Sequence, residues 1–157
     1  MGAMVRPART CDAEAISALV NDHAEKGRML HRSLESVYES LRDFLVAPDS
    51  DGLAGCVALS ITGRDLAEIR SLAVATPRQG RGVGTGLVDG AIDQARRLGL
   101  RRLFVLTYEP GFFERFGFRV VERERLPAKV WRDCIHCPRA DDCNEIAMVL
   151  DLEPGDG

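Results

Sequence analysis

Lysine is almost missing from this chain of 157 residues: Lys26 and Lys129 are the only two among 21 basic side chains. Aromatic residues make up 6% of it, with a single tryptophan. No apolar run is long enough to cross a bilayer, which excludes a membrane-spanning helix. Positive charge is not in excess either. A formal charge of -3 and a pI near 5.6 exclude an overall pull toward nucleic acid or an anionic membrane, so anion binding has to come from local placement. The start, MGAMVRPART, lacks the charged and then apolar segments of a secretory leader, so a cytoplasmic protein is expected, with residues 1–3 read as an expression scar ahead of Met4. The five cysteines, at positions 11, 56, 134, 137 and 143, are odd in number and unevenly spaced, unlike a secreted disulfide framework.

What is present fits one globular α/β domain over residues 4–153, with 45% hydrophobic and 29% charged content. MVRPA reads as a short first strand. Thr10 or Asp12 can cap a helix that places Ile16, Leu19, Val20 and His23 on one side and stops near Gly27. A second helix is predicted from Ser33, with Leu34, Val37, Tyr38 and Leu41 at helical spacing. Two strands flank a turn at Asp49 to Gly52. A further strand, AEIRSLAVA, precedes a helix from about Gly82 to Leu98 that ends at Gly99. Then come a buried strand (RRLFVLTY), a short helix (PGFFERFGF) closed by Gly117, a strand (RVVERERLP) and a final apolar strand (EIAMVLDL).

Strand, glycine loop and helix in that order can hold a phosphate. A P-loop is excluded because the loop has no lysine, and the dinucleotide fingerprint fails because its third glycine falls on Thr85 or Leu87. What fits is Gln79-Gly80-Arg81-Gly82-Val83-Gly84, a Q-x-x-G-x-G pattern. Main-chain N–H groups at a helix start have no intrahelical partner, and glycines let a pyrophosphate approach them closely. Arg81 can add charge from the rim.

With AEIRSLAV before the loop and LFVLTYEPGFFERFGF after it, the chain resembles the GNAT superfamily of N-acetyltransferases. The resemblance implies an α/β fold: a central, mostly antiparallel sheet with a splayed parallel strand pair and helices on both faces. It implies acetyl-CoA as cosubstrate, with Gln79, Gly80, Arg81, Gly82, Val83, Gly84 and Thr85 on the pyrophosphate, Leu72, Ala73 and Val74 along the pantetheine arm, and Phe113 on the pocket wall. MLHRSLESVYESLRDFLV and LPAKVW bring the resemblance closer to the acetyltransferase domain of bacterial N-acetylglutamate synthases, particularly the short stand-alone kind. That implies acetylation of the α-amine of L-glutamate, the first step toward arginine, with a small-molecule acceptor, no nucleic acid, no membrane, and a homodimer left open. Another amine acceptor, or a CoA-sensing module without turnover, remains the alternative.

Acetyl transfer to an amine needs a proton acceptor and a cation set for the acceptor's carboxylates. Glu68 and Arg70 share one face of their strand. They can pair with each other, or Glu68 can serve as the carboxylate base that the resemblance implies. Many family members place a tyrosine where this chain has Phe113, which cannot donate a proton; Tyr108 is the candidate substitute, and departure of the thiolate without an acid is the alternative. Arg32 in HRS is the leading cation for glutamate, followed by Arg70 and Lys129; each has an ordinary role as a helix-start, ion-pair or surface residue. The DCIHCPRADDC segment gathers Cys134, His136, Cys137 and Cys143. A second well-spaced pair is missing for zinc, so no metal is assigned; packing against the acceptor pocket is favoured, with zinc and a redox-sensitive disulfide as the alternatives.

Overall fold

The computed structural model describes residues 4–27, 29, 31–50, 52–75, 82–123, 126 and 145–152. In chain order it contains β1 (Arg6–Pro7), a 3-10 turn at Thr10–Asp12, α1 (Ala13–Glu25), α2 (Leu34–Glu39), a second 3-10 turn at Leu41–Asp43, β2 (Phe44–Asp49) and β3 (Gly52–Ile61). It continues with β4 (Leu66–Val74), α3 (Val83–Arg97), β5 (Arg102–Thr107), α4 (Pro110–Glu114), β6 (Arg119–Val120) and β7 (Ile146–Asp151). The strands form one sheet in the order β1-β2-β3-β4-β5-β7-β6. β4 and β5 run parallel, and every other neighbouring pair is antiparallel.

Alternation along the strands divides the apolar side chains between two layers. On one face Leu45, Val57, Leu59, Ile69, Leu103, Val105 and Met148 meet Leu87, Val88, Ala91 and Ala95 of α3, with Phe113 of α4. On the other, Phe44, Val46, Cys56, Ala58 and Ala73 meet Ile16 and Val20 of α1 and Val37 of α2. α3 lies close on the sheet because position 55 is a glycine: a Cβ there would stand 2.8 Å from the Leu87 Cδ1 and 3.0 Å from the Ala73 carbonyl oxygen. The mostly antiparallel sheet with one parallel pair and helices on both faces agrees with the architecture expected.

The helix expected from Ser33 is present but short: Val37 is its buried residue, while Leu34 and Tyr38 are 38% and 46% exposed. α2 has six residues, fewer than two turns, so it cannot lay a full apolar stripe on the sheet, and Ser36 and Ser40 turn inward to Arg32 instead. The strand expected from Arg119 is confined to Arg119–Val120. One residue on, the Val121 N–H still reaches Ala147, and the Arg123 side chain then bonds the Glu145 carbonyl. Residues 127–144, with Lys129 and the cysteine-rich segment, lie outside the described residues.

The first strand is tied to α1 by charge. Both Asp12 carboxylate oxygens accept from the Arg6 guanidinium, at 2.7 and 3.1 Å, and the Arg9 N–H adds a third bond at 2.8 Å. Asp12 is buried, and the Arg6 fork holds its carboxyl below the usual range. A carboxyl lowered on folding contributes stability above its unfolded pKa of about 3.9, and that contribution is lost as pH falls through the folded value. Asp12→Asn should therefore cost about 1.5–3 kcal/mol at pH 7. In urea denaturation the deficit should shrink as the pH is taken well below 3.9.

Candidate active site

The β4–β5 ladder covers Leu66 to Glu68 on one strand and Arg102 to Phe104 on the other, and then stops. Each strand continues on its outer partner: β4 stays paired with β3 as far as Val74, and β5 with β7 as far as Thr107. The inner edges therefore diverge into a cleft bounded by main chain.

β4 also carries a bulge. Between the Arg70–Ala58 and Ala73–Cys56 pairs, Ser71 and Leu72 together face Val57. Ser71 has φ +55°, the left-handed region that a side chain with a Cβ rarely adopts. The extra residue reverses which layer each later side chain enters. Arg70 is in register with Ala58 on the α1–α2 face, whereas Leu72 and Val74, which an unbroken strand would assign the other way, pack with α3. The bulge is held from beneath by Cys56, whose fully buried thiol donates to the Ser71 carbonyl at 3.5 Å and takes a bond from the Ala73 N–H. Burial pushes that thiol up to about 12.

On the same face a cation is built into the wall. Asn21 of α1 grips the Arg32 main chain from both sides, donating to its carbonyl at 2.9 Å and accepting from its N–H at 2.8 Å. The Ser33 hydroxyl starts α2 by accepting from the Ser36 N–H. The Arg32 guanidinium then donates to the hydroxyls of Ser40 at 2.7 Å, Ser36 at 3.3 and 3.4 Å, and Ser71 at 3.3 Å, with its centre 5.2 Å from the Phe44 ring centroid. It has no carboxylate partner within 4 Å among the described residues. Burial, and then the charge of Arg70, press this group below its usual pKa. Asp43 is the acidic group in electrostatic reach; burial raises its pKa against the pull of Arg32 and Arg70. Arg70 stands 3.9 Å from Glu68, a loose pair in which the Glu68 side chain is largely buried and that of Arg70 is open. The pairing suggested by their spacing is thus present without closing the site.

Where the cleft meets α3, Gly82 caps the helix at φ +81°, a conformation that suits glycine, with open space where a Cβ would be. The first intrahelical bond is donated by Gly86 to the Gly82 carbonyl, so the amides of Val83, Gly84 and Thr85 precede the ladder. No acidic side chain sits in this first turn and no side chain caps it. This end of the helix fits an anionic group. Gln79, Gly80 and Arg81 fall outside the described residues.

Among the aromatic residues, Phe113 is buried in the α3-side core, edge-on to Phe112 and Phe118 with centroids at 5.1 and 5.5 Å. Phe112 is the ring that faces Gly84. Tyr108, just past the end of β5, is 41% exposed, and its hydroxyl has no partner among the described residues. No group of three metal-ligating side chains occurs among the described residues, and no helix there is long and apolar enough to cross a membrane.

A family model described as Acetyltransferase (GNAT) family matches residues 13–118, from the start of α1 to the end of the aromatic turn. The chain belongs to this family. An uncharacterized N-acetyltransferase of Chlorobaculum tepidum is 45% identical over 148 residues, covering 94% of this chain and 96% of that protein. An amino-acid acetyltransferase of Mycobacterium tuberculosis is 43% identical over 152 residues, covering 95% of this chain and 84% of the relative. N-acetylglutamate synthase from Neisseria gonorrhoeae, solved with coenzyme A and N-acetyl-glutamate, superposes with a TM-score of 0.87 at 31% identity. The match covers 98% of this chain and 36% of that one, so this chain spans about a third of the larger enzyme. As a GNAT acetyltransferase the chain draws its acetyl group from acetyl-CoA, and the acid-free start of α3 is an end of the cleft able to take that cosubstrate's phosphates.

Several residues at this site carry no signal in the sequence. Cys56 and the Ser71 bulge become visible only when β4 is laid on β3, and Asn21 only when the Arg32 segment is laid against α1. Ser36 and Ser40 are different, since their i, i+4 spacing after Arg32 marks a common helix face. With its thiol pushed up to about 12 and fully buried, Cys56 should resist iodoacetamide at pH 8 while the exposed Cys11 is alkylated. Peptide mapping by mass spectrometry checks this, and in urea the two cysteines should react alike.

Proposed function

We propose that this acetyl-CoA-dependent amino-acid N-acetyltransferase acts on L-glutamate, acetylating its α-amine as the entry to arginine synthesis. The observation that carries the reading is Arg32: a half-buried guanidinium held by three hydroxyls, with no carboxylate partner among the described residues. A half-buried cation with no carboxylate in contact is costly, Asp43 acting on it only at longer range, and a carboxylate ligand would reduce that cost. With Arg70 beside it, the site offers two cations to an acceptor with two carboxylates. The mycobacterial relative named as an amino-acid acetyltransferase and the gonococcal synthase with N-acetyl-glutamate support the same choice. Lys129 would be a third contact, from a segment outside the described residues.

Acetyl-CoA supplies the acetyl group as a thioester. Glu68, on the strand that enters the cleft, takes a proton from the acceptor's ammonium and leaves a neutral amine to attack. The thiolate that departs takes a proton from Tyr108, because Phe113 has none to give, and the attacking nitrogen, cationic once bonded to the acetyl carbon, returns a proton to that phenolate as the amide forms. Attack is direct, with no acetyl-enzyme. The α3 amides of Val83, Gly84 and Thr85, with Gln79, Gly80 and Arg81 before them, hold the pyrophosphate, and Leu72, Ala73 and Val74 line the pantetheine arm.

Thiol release from acetyl-CoA, followed with a panel of amino acids and amines, tests the acceptor. L-Glutamate should give the highest kcat/KM, and a higher value for a neutral amino acid or a polyamine would overturn the reading. Arg32→Ala should raise the KM for glutamate by about one to two orders of magnitude, the loss expected of a charge-assisted hydrogen bond, with the KM for acetyl-CoA little changed. Glu68→Gln should instead lower kcat by about 10²–10⁴ and flatten the acidic limb of the pH–rate profile.

A further inference from the structure

The chemistry above leaves one buried imidazole unused. His23, on the inner face of α1, is 5% exposed, and its Nε2 lies 2.9 Å from the carbonyl oxygen of Val74. A carbonyl only accepts, so Nε2 carries the hydrogen. The direction of that carbonyl follows from the neighbouring bond. The peptide between Val74 and Ala75 is trans, and its N–H, on Ala75, donates to Ala54 of β3 at 2.8 Å. In a planar trans peptide the C=O points opposite to the N–H. The Val74 oxygen is therefore aimed away from β3, toward the side from which β5 has diverged.

Val74 has a second contact that matters. Its Cγ2 stands 3.6 Å from the position a Cβ on Gly84 would take, within the first turn of α3. One residue thus joins three parts of the fold: its carbonyl is held by α1, its register by Gly55 of β3, and its side chain lies against the helix start. We propose that His23 is a positioning residue for the coenzyme A site, fixing the last β4 peptide at the open edge and so its alignment with the amides of α3. The inference rests on the reading that the carrier lies along β4 and ends at α3. It adds an α1 residue, remote in sequence from both, that touches neither the acetyl group nor the acceptor.

The test uses the full chain with CoA itself as the probe, measured by calorimetry, beside steady-state kinetics of His23→Phe and His23→Gln. Phenylalanine keeps ring volume without a donor; glutamine restores an N–H. His23→Phe should weaken CoA about tenfold and raise the KM for acetyl-CoA in proportion, with kcat and the acceptor KM unchanged, while His23→Gln should stay within about threefold of the parent. Equal CoA affinity in His23→Phe would overturn the proposal. So would a glutamine variant as weak as the phenylalanine one, which would make ring packing the cause, or a joint fall in kcat and both KM-dependent rates with lowered thermal stability. Should neither variant fold, the imidazole signals of the parent chain decide: on adding CoA those of His23 should shift and those of the exposed His31 should not, and an unmoved His23 counts against the role. A parent chain that binds no CoA would overturn the carrier reading together with this one, an outcome distinct from any effect of substitution.

Discussion

A strand that parts from its neighbour loses the ladder that would fix it on that side, and β4 does this over its last six residues, from Ile69 to Val74. Its geometry then depends on β3, on one side chain of that strand and on two more that arrive from the α1–α2 layer. Cys56 bonds the bulge from below, Arg32 reaches the Ser71 hydroxyl from the approach to α2, and His23 holds the terminal carbonyl from α1. The cleft is open because one ladder ends. It keeps its shape because β3 and two segments outside the sheet take up the task of that ladder. The positive φ at Ser71 persists in this setting, where the surroundings over-determine a conformation that an isolated serine would avoid.

The charge pattern follows the same logic. Surface pairs such as Arg97–Asp93 or Arg102–Asp151 are closed and exposed, and contribute little. Around Arg32 the acidic partner is withheld and hydroxyls stand in its place. Hydroxyls orient a guanidinium without neutralising it, so its charge stays available to a ligand. The α3 start repeats the arrangement in main chain: amides without a carboxylate in front of them. With a net charge of only -3 and almost no lysine, the protein attracts anions by where it omits acidic groups.

Much of this was legible in the sequence because it rests on local rules. The β2–β3 hairpin followed from Asp-Gly chemistry, the α3 boundaries from glycines at each end, and the parallel pair from a strand–helix–strand order. Glu68 with Arg70 could be singled out from their period-two spacing, whereas Arg32 in HRS stood out only through the family resemblance. The rest depended on non-local contacts. Whether Leu34 and Tyr38 were core or surface turned on how short α2 is, since helical spacing alone does not say how many turns form. His23 read as one more inward-facing residue of α1, and its bond to Val74 spans fifty-one positions of chain.

The bulge has a consequence for how such a protein can vary. Because one additional residue switches parity midway, the first half of β4 offers Glu68 and Arg70 to one compartment and the second half seats Leu72 and Val74 in the other. Under the proposed function, selection on the polar half would reshape acceptor preference while the apolar half, and with it the proposed grip on the carrier, stayed untouched. Removing that single residue would turn Leu72 and Val74 into the polar compartment and Ala73 out of it, so the strand tolerates substitution far more readily than any change in its length.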